Sequence, residues 1–208
     1  MWYVKGNNMK PIKVLCLMAL VVVSSSSLAS SRNVQQPESD PIANEGHFTL
    51  LGFVLLKDTL EGVRSRLGKA EIRVGVGHEP SEVCYVSSEP NDGTTVIFQA
   101  GLFGGHETLT SFVLTNKKVD TRQCLPSPLV AKDIGTPSGI TLGLRSSQLK
   151  ELLGEPTKVE NNLLAYVLVT RMRMTEGDYP YLDVSRFIEA EIADGQVEEV
   201  SITKLENY

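Results

Sequence analysis

The side chains that could carry out catalysis or bind a metal are few and lie far apart in the sequence. Histidine occurs only at His47, His78 and His106. No two of them are spaced four residues apart, and no HExxH motif is present. Because a metal site needs three or four converging ligands, we expect surface or loop histidines and predict neither a metal nor another cofactor.

The sequence also lacks a recognisable nucleophile or phosphate-binding loop. No serine lies in a G-x-S-x-G motif. Gly75 and Gly77 begin a glycine-rich pattern, but His78-Glu79-Pro80 follows where a dinucleotide site needs a third glycine and a helix. We therefore predict that the protein is not an enzyme, and keep a hydrolase of unfamiliar type as an alternative.

Two cysteines, Cys84 and Cys124, follow the apolar N-terminal segment. In an exported protein such a pair predicts one disulfide. Two unpaired thiols, or pairing with another chain, are the alternatives. In the chain-entropy model, closing a loop of this size stabilises the fold by about 4 kcal/mol.

Residues 1–29 have the three parts of a secretory signal peptide. Lys5, Lys10 and Lys13 make a basic start, residues 14–23 are apolar but too few to span a bilayer, and Ser27-Leu28-Ala29 reads as a cleavage site. We therefore predict a periplasmic or secreted protein without a membrane span. Removing these three lysines from the 20 basic residues leaves 17 against 25 acidic ones, which argues against a nucleic-acid partner.

Two short amphipathic helices are predicted. Their apolar stripes comprise Leu60, Val63 and Leu67 in the first, and Leu149, Leu152 and Leu153 in the second. Gly68 and Gly154 are suited to end them. The predicted N-caps are Asp58 in the first helix and Ser146 or Ser147 in the second. Helices this short are marginal alone, so each must pack on an apolar surface.

Strand-like runs follow each helix. They cover residues 82–87, 94–100 and 108–115 in the first half, and 163–174, 181–192 and 196–204 in the second. The Pro- and Gly-rich residues 122–137 read as a linker, and the polar residues 30–45 as a disordered leader. We therefore predict an α+β fold of two tandem units, residues 46–121 and 138–208. In each unit a short helix packs on a three- to four-stranded antiparallel sheet.

The turn at Asp194-Gly195 fixes how the last two strands face each other. A two-residue loop would place Ile188 opposite Ser201. A three-residue loop would place Ile188 opposite Val200 and keep one face mostly apolar, so we prefer the three-residue loop. The other face would carry the acidic side chains Glu189, Glu191 and Glu199. This acidic set could bind a basic protein, or it could be an ordinary solvated sheet face.

Two loops offer further candidate contacts with a partner protein. Leu102 and Phe103 lie in a glycine-rich bend, and Tyr179 and Tyr181 lie at a hairpin tip. Apolar and aromatic residues on such loops often act as binding anchors. The alternatives are a plain wide bend for the first loop and tyrosines packed beneath the second.

The second half resembles the repeating unit of the BamE/SmpA-OmlA family. The residues that carry the resemblance are Gly143, Leu149, Leu153-Gly154-x-Pro156, Tyr166 on the following strand, and Asp194-Gly195. The same unit in tandem resembles the family of the beta-lactamase inhibitory protein. The first half matches less well, because Lys57 and Ala70 replace the glycine and the proline.

This resemblance implies two α/β repeats in an exported protein that binds other proteins without catalysis. We accordingly expect a protein-binding module, with inhibition of an enzyme as its narrower role. An accessory protein for envelope assembly is the alternative that the single-unit family implies.

Overall fold

Strands are the commonest regular elements in the part of the chain that the computed structural model describes, which is residues 40–75, 79–101, 107–117, 123–174 and 181–207. The elements in chain order are 3-10 turns at Pro41–Ala43 and Glu45–Phe48, β1 (Thr49–Leu50), β2 (Phe53–Val54), α1 (Leu60–Leu67), β3 (Ser81–Ser87), β4 (Thr95–Ala100), β5 (Leu109–Thr115), β6 (Leu125–Ser127), α2 (Ser146–Leu153), β7 (Lys158–Glu160), β8 (Leu163–Arg173), β9 (Tyr181–Ala193) and β10 (Gln196–Asn207). None of the helices in these ranges is long and apolar enough to cross a membrane.

Eight strands form one sheet in the order β6-β3-β4-β5-β10-β9-β8-β7, while β1 and β2 form a separate hairpin. Neighbouring strands of the large sheet are antiparallel, except for β3 and β6, which are parallel. The two halves of the chain meet where β5 pairs with β10, from Ser111 opposite Thr203 to Thr115 opposite Glu199.

The prediction of two tandem helix-on-sheet units is wrong. The β5–β10 pairing merges the strands of both halves into a single, mainly β structure with one core. Two separate sheets would each have kept an open edge at β5 or β10, whereas pairing these strands satisfies their backbone groups. Residues 122–137, predicted as a linker, supply β6 at the sheet edge. The predicted leader, residues 30–45, is described from Asp40 onward, where it forms 3-10 turns.

The core lies on one face of the sheet, which we call the inner face. It buries the predicted stripe of α1 and the Leu149 and Leu153 side chains of α2 against the strands. The hairpin β1–β2 also packs there, and the Phe53 and Phe98 rings meet edge to face with their centroids 5.5 Å apart. The helical stripes predicted from sequence are therefore confirmed.

The N-caps of both helices differ from the predicted ones. In α1 the Thr59 hydroxyl accepts the N–H of Gly62 at 3.1 Å, whereas Asp58 accepts an N–H of the preceding hairpin at 2.7 Å. In α2 the N-cap is Arg145, whose backbone N–H donates to the Gln148 side chain at 3.2 Å. The N-cap of α1 therefore lies one residue after the predicted Asp58, and the N-cap of α2 lies just before the two predicted serines.

The last hairpin contains a β-bulge that sequence reasoning did not include. Gln196 pairs with Ala193, as in a two-residue loop, but the register shifts between Val197 and Glu199. Ile188 therefore faces Ile202, and the predicted pairing with Val200 is wrong. The extra residue returns the apolar side chains to the inner face, which is the constraint that the prediction used.

Tyr85 and Tyr166 are two completely buried tyrosines in contrasting environments. The Tyr85 hydroxyl donates to the Gly68 carbonyl at 2.7 Å, just beyond the end of α1. Gly68 has φ of 118°, and a Cβ there would lie 2.7 Å from Leu125 of β6, so only glycine fits. The Tyr166 hydroxyl has no hydrogen-bond partner among the described residues.

We predict opposite outcomes for the two Tyr→Phe substitutions. Tyr85→Phe should lower the free energy of unfolding by about 1 kcal/mol, because it removes the hydrogen bond from the Tyr85 hydroxyl to the Gly68 carbonyl, which then keeps only the Ala70 N–H. Tyr166→Phe should change it by less than about 0.5 kcal/mol or raise it, because it removes an unpaired hydroxyl. Urea unfolding of both variants tests this, and equal losses would contradict it.

The predicted disulfide is confirmed. Cys84, on β3, is bonded to Cys124, which directly precedes β6. The bond closes a loop with a sequence separation of 40 residues. It lies beside the short parallel pairing of β3 with β6, which runs from Tyr85 opposite Leu125 to Ser87 opposite Ser127. The crosslink therefore holds a strand that few backbone hydrogen bonds retain.

Removing the crosslink should lower the free energy of unfolding by about 2–4 kcal/mol, because the unfolded chain regains the entropy of an open loop. The measurement is urea unfolding of the oxidised protein, the reduced protein and the Cys84→Ala/Cys124→Ala double variant. Reductant should have no effect on the double variant, which controls for its other actions. An unchanged midpoint after reduction would contradict the prediction.

Candidate functional site

The face of the sheet opposite the core, which we call the outer face, carries mixed side chains. Because side chains alternate along a strand, paired residues form rows across the sheet. One row consists of Cys84, Ile97, Val113, Ser201, Glu189, Ala165 and Lys158. The next consists of Glu82, Gln99, Ser111, Thr203, Phe187 and Val167. Hydroxyl-bearing and apolar residues share the centre of this face.

The apolar side chains are most accessible at the β8 end of the outer face. Val167 pairs with Phe187, while Val169 and Leu205 flank Ser185 from either side. Val167 is 39% exposed and Val169 58% exposed. None of the four apolar side chains belongs to the core cluster. We call Val167, Val169, Phe187 and Leu205 the outer-face patch.

Of the four predicted loop contacts, the structure describes only one. Tyr181 is the first residue of β9 and is 49% exposed. The Arg171 guanidinium lies 5.8 Å from the centre of its ring. Tyr181 pairs with Arg173, four residues along β8 from Val169 of the outer-face patch. Leu102, Phe103 and Tyr179 lie outside the described residues and remain predicted contacts.

The predicted acidic set shares the outer face but is partly neutralised. Glu191 and Glu199 face each other across β9 and β10. Lys117, just beyond β5, bonds to Glu191 and lies 3.3 Å from Glu199. Burial alone would lower the pKa of Lys117, but these two carboxylates outweigh it and raise the pKa. Glu189 is the exposed member of the set, and a role of the set in binding a basic protein remains a prediction.

His47 contradicts the expectation of a surface or loop histidine, because it is only 1% exposed. Its Nε2 lies 3.0 Å from the Pro41 carbonyl, to which it must donate. Its Nδ1 then accepts from the Ser138 hydroxyl, which is also 2.9 Å from the Thr136 hydroxyl. His78 and His106 lie outside the described residues.

A serine hydrogen-bonded to histidine is the arrangement of an activated nucleophile. In this protein the imidazole is enclosed, and its second nitrogen is held by a backbone carbonyl. The His47–Ser138 pair instead fastens the N-terminal turns to the segment before α2. Burial lowers the pKa of His47, against the smaller opposing effect of the Pro41 carbonyl.

A second polar cluster also attaches the N-terminal turns to the sheet. Glu45 accepts from Arg186 at 3.1 Å and from Lys204 at 2.6 Å. Both cations are largely buried and lie within 6 Å of the Phe48 ring, at 5.9 and 5.8 Å respectively. Burial alone would raise the pKa of Glu45, but the hydrogen bonds and charges of the two cations lower it overall. The three charged side chains therefore bond to one another, while the Arg186 Nε has no hydrogen-bond partner among the described residues.

An open cavity of about 320 Å³ lies between the start of α2 and the β7–β8 hairpin. Its lining residues are Ser146, Lys150, Asn161, Asn162, Leu164 and Ile192. The Ser146 N–H already donates to Gly195, and Lys150 pairs with Glu155. The lining contains no carboxylate or histidine. Within the described ranges, no group of three His, Cys, Asp or Glu residues could hold a metal ion.

Comparisons with known proteins find no matching family model, curated protein or solved structure. The resemblance to the BamE/SmpA-OmlA unit therefore remains a prediction. The outer-face patch was not selected from sequence, although its residues lie on strands that were predicted. The alternation of side chains along a strand assigns each residue to one of two faces, but it does not show which strand lies near an edge of the sheet. The exposure of Val167 and Val169 therefore could not be predicted.

We predict that His47 makes stability depend on pH. Since its pKa is lowered in the folded state, the unfolded chain binds the proton more readily. The stabilisation is complete above the unfolded pKa of about 6.5. It is lost as pH falls from there through the folded pKa, with a slope approaching 1.4 kcal/mol per pH unit, to order of magnitude.

Urea unfolding at pH 7.5, 6.5 and 5.5, for the unmodified protein and His47→Gln, isolates this residue from all others that titrate. The difference between the two free energies of unfolding should shrink as pH falls. Parallel curves would contradict the assignment of a neutral, buried His47.

Proposed function

We propose that this protein is an exported protein-binding module without catalytic activity of its own. The observation that carries the proposal is the outer-face patch. Solvent-facing sheet positions usually carry polar residues, and clustered exposed apolar residues often mark a contact surface. Tyr181 adds an exposed aromatic side chain on β9, opposite Arg173, and aromatic residues are enriched at binding hot spots.

The proposed compartment is the periplasm or the extracellular space. The disulfide fits an oxidising environment, and the signal peptide predicted at residues 1–29 supports export. The narrower role of enzyme inhibitor was inferred from the resemblance to a tandem-repeat inhibitor. Because the two-unit architecture is overturned, the fold gives no support to that role.

The chain offers a closely matched control for testing the outer-face patch. Val169 and Val159 are both 58% exposed. Val169 projects from the outer face of β8, whereas Val159 pairs with Leu164 and projects from the side of the core. The same substitution at these two positions therefore changes charge and hydrophobicity equally but on opposite faces.

We predict that Val169→Glu weakens partner binding by about tenfold or more, while Val159→Glu changes it less than about twofold. Phe187→Thr should act like Val169→Glu, because it removes the only aromatic ring of the patch and keeps strand propensity. The experiment begins with capture of partners from a periplasmic extract by residues 30–208. The affinity of each captured protein for the three variants is then measured with purified components.

Every variant must first show unchanged thermal unfolding, so that a weaker affinity reports the surface and not the fold. A purified partner that binds all three variants equally would contradict the assignment of this face. Failure to capture any protein that binds again in purified form would contradict the function itself.

A further inference from the structure

The edge of the sheet beside the outer-face patch is only partly occupied. β8 pairs with β9 along its whole length, from Leu163 to Arg173. On its other side it pairs with β7 only from Leu163 to Ala165. The Val167 N–H then donates to the Thr157 hydroxyl at 3.1 Å. Beyond Val167, no strand in the described part of the chain lies along this edge.

The direction of the free backbone groups follows from alternation in an antiparallel ladder. Leu163 and Ala165 pair with the ends of β7, and the Val167 N–H also points to that side. Val169, Arg171 and Arg173 have the same parity, so their N–H and C=O groups point away from β9. Their side chains extend along the outer face, in line with Val167.

The side chains along this edge change from apolar to basic in chain order. Val167 and Val169 belong to the outer-face patch, and the two arginines follow. β8 contains no acidic residue. The Arg171 guanidinium is held in place by two hydrogen bonds to Asp183, at 2.7 and 2.8 Å. An added strand would thus meet two apolar positions and then two arginines, the first of which is already paired with Asp183.

We propose that β8 accepts an extended, acidic segment of the partner protein as an additional strand. The segment would form backbone hydrogen bonds with Val169 and Arg171. It would place apolar side chains beside the two valines and acidic side chains beside the two arginines. Main-chain pairing supplies affinity in this mode of recognition, and alternate side chains supply selectivity. This inference rests on the proposed function and specifies how the partner binds.

The charge of the edge also argues against a second copy of the same chain. In a symmetric dimer, residues 168–173 of one β8 would pair with the same residues of a second copy. Arg171 and Arg173 of both copies would then place four arginines on two short neighbouring strands. Like charges on neighbouring strands are destabilising. Basic side chains are a common device against unwanted edge pairing, and an acidic strand is the kind of partner that they do not repel.

The probe for this proposal is a synthetic, end-capped octapeptide with the sequence Asp-Thr-Asp-Thr-Val-Thr-Val-Thr, which matches the edge in antiparallel orientation. The reversed sequence tests parallel orientation. NMR should show changed amide signals and slower hydrogen exchange at Val169 and Arg171 with one of the two. A version of that peptide N-methylated at alternate amides that face β8 should bind at least about tenfold more weakly, since it loses backbone donors but keeps its side chains.

Two proline variants give a matched test on the protein itself. Val169→Pro removes an N–H that points to the open edge and leaves the ladder with β9 intact. Val159→Pro removes an N–H that points outward from β7, at a residue of equal exposure. The peptide should lose at least about tenfold in affinity for the first variant and keep its affinity for the second.

Several results would overturn the proposal. The first is that neither octapeptide binds. The second is that the N-methylated peptide binds as tightly as the unmethylated one. The third is that the protein sediments as a dimer and Val169→Pro converts it to a monomer. The methylated peptide keeps the test valid if Val169→Pro does not fold. A captured partner that is sensitive to Phe187→Thr but not to Val169→Pro would leave the proposed function standing and refute strand addition. A partner insensitive to both would refute the proposed face as well.

Discussion

The pairing of β5 with β10 is the constraint on which the rest of the structure depends. These two strands come from opposite halves of the chain, and their five paired positions join four strands on each side into one sheet. Once they are joined, the apolar faces of both halves form a single surface. Both helices, the β1–β2 hairpin and the N-terminal turns then pack on that surface. The outer face and its patch exist because the core occupies only one side.

The N-terminal turns illustrate how polar contacts complete this arrangement. They bring Phe48 to the inner face, where its ring lies close to the largely buried cations Arg186 and Lys204. They also bring Glu45, whose carboxylate bonds to both cations. Burial lowers the pKa of His47, and a carbonyl and a hydroxyl satisfy its two ring nitrogens. Burying a charge without a partner is costly. The N-terminal turns therefore contribute apolar side chains to the core and also supply Glu45, which bonds to the largely buried cations there.

Local sequence patterns predicted the elements well and their assembly poorly. The helical stripes, the six main strands and the disulfide follow from spacing, alternation and cysteine count. The β5–β10 neighbour relation does not, because alternation assigns a residue to a face without naming the strand beside it. The bulge before Glu199 and the burial of His47 were not predicted, for a related reason. Each is a response to tertiary surroundings that local propensity does not contain.

The two edges of the large sheet differ in how far other parts of the chain cover them. At one edge, β6 and the Cys84–Cys124 bond cover part of β3, and backbone hydrogen bonds between Arg73 and Glu82 cover another part. At the other edge, β7 covers only three residues of β8. It begins two residues after Pro156, which has no N–H to extend the pairing with β8 beyond Ala165. An exposed strand edge is a hazard for aggregation unless it is blocked or used. Within the described residues, one edge is crosslinked to β6 and the other is open beside accessible valines and a fixed arginine. This asymmetry is the basis of the proposal that the open edge binds a partner.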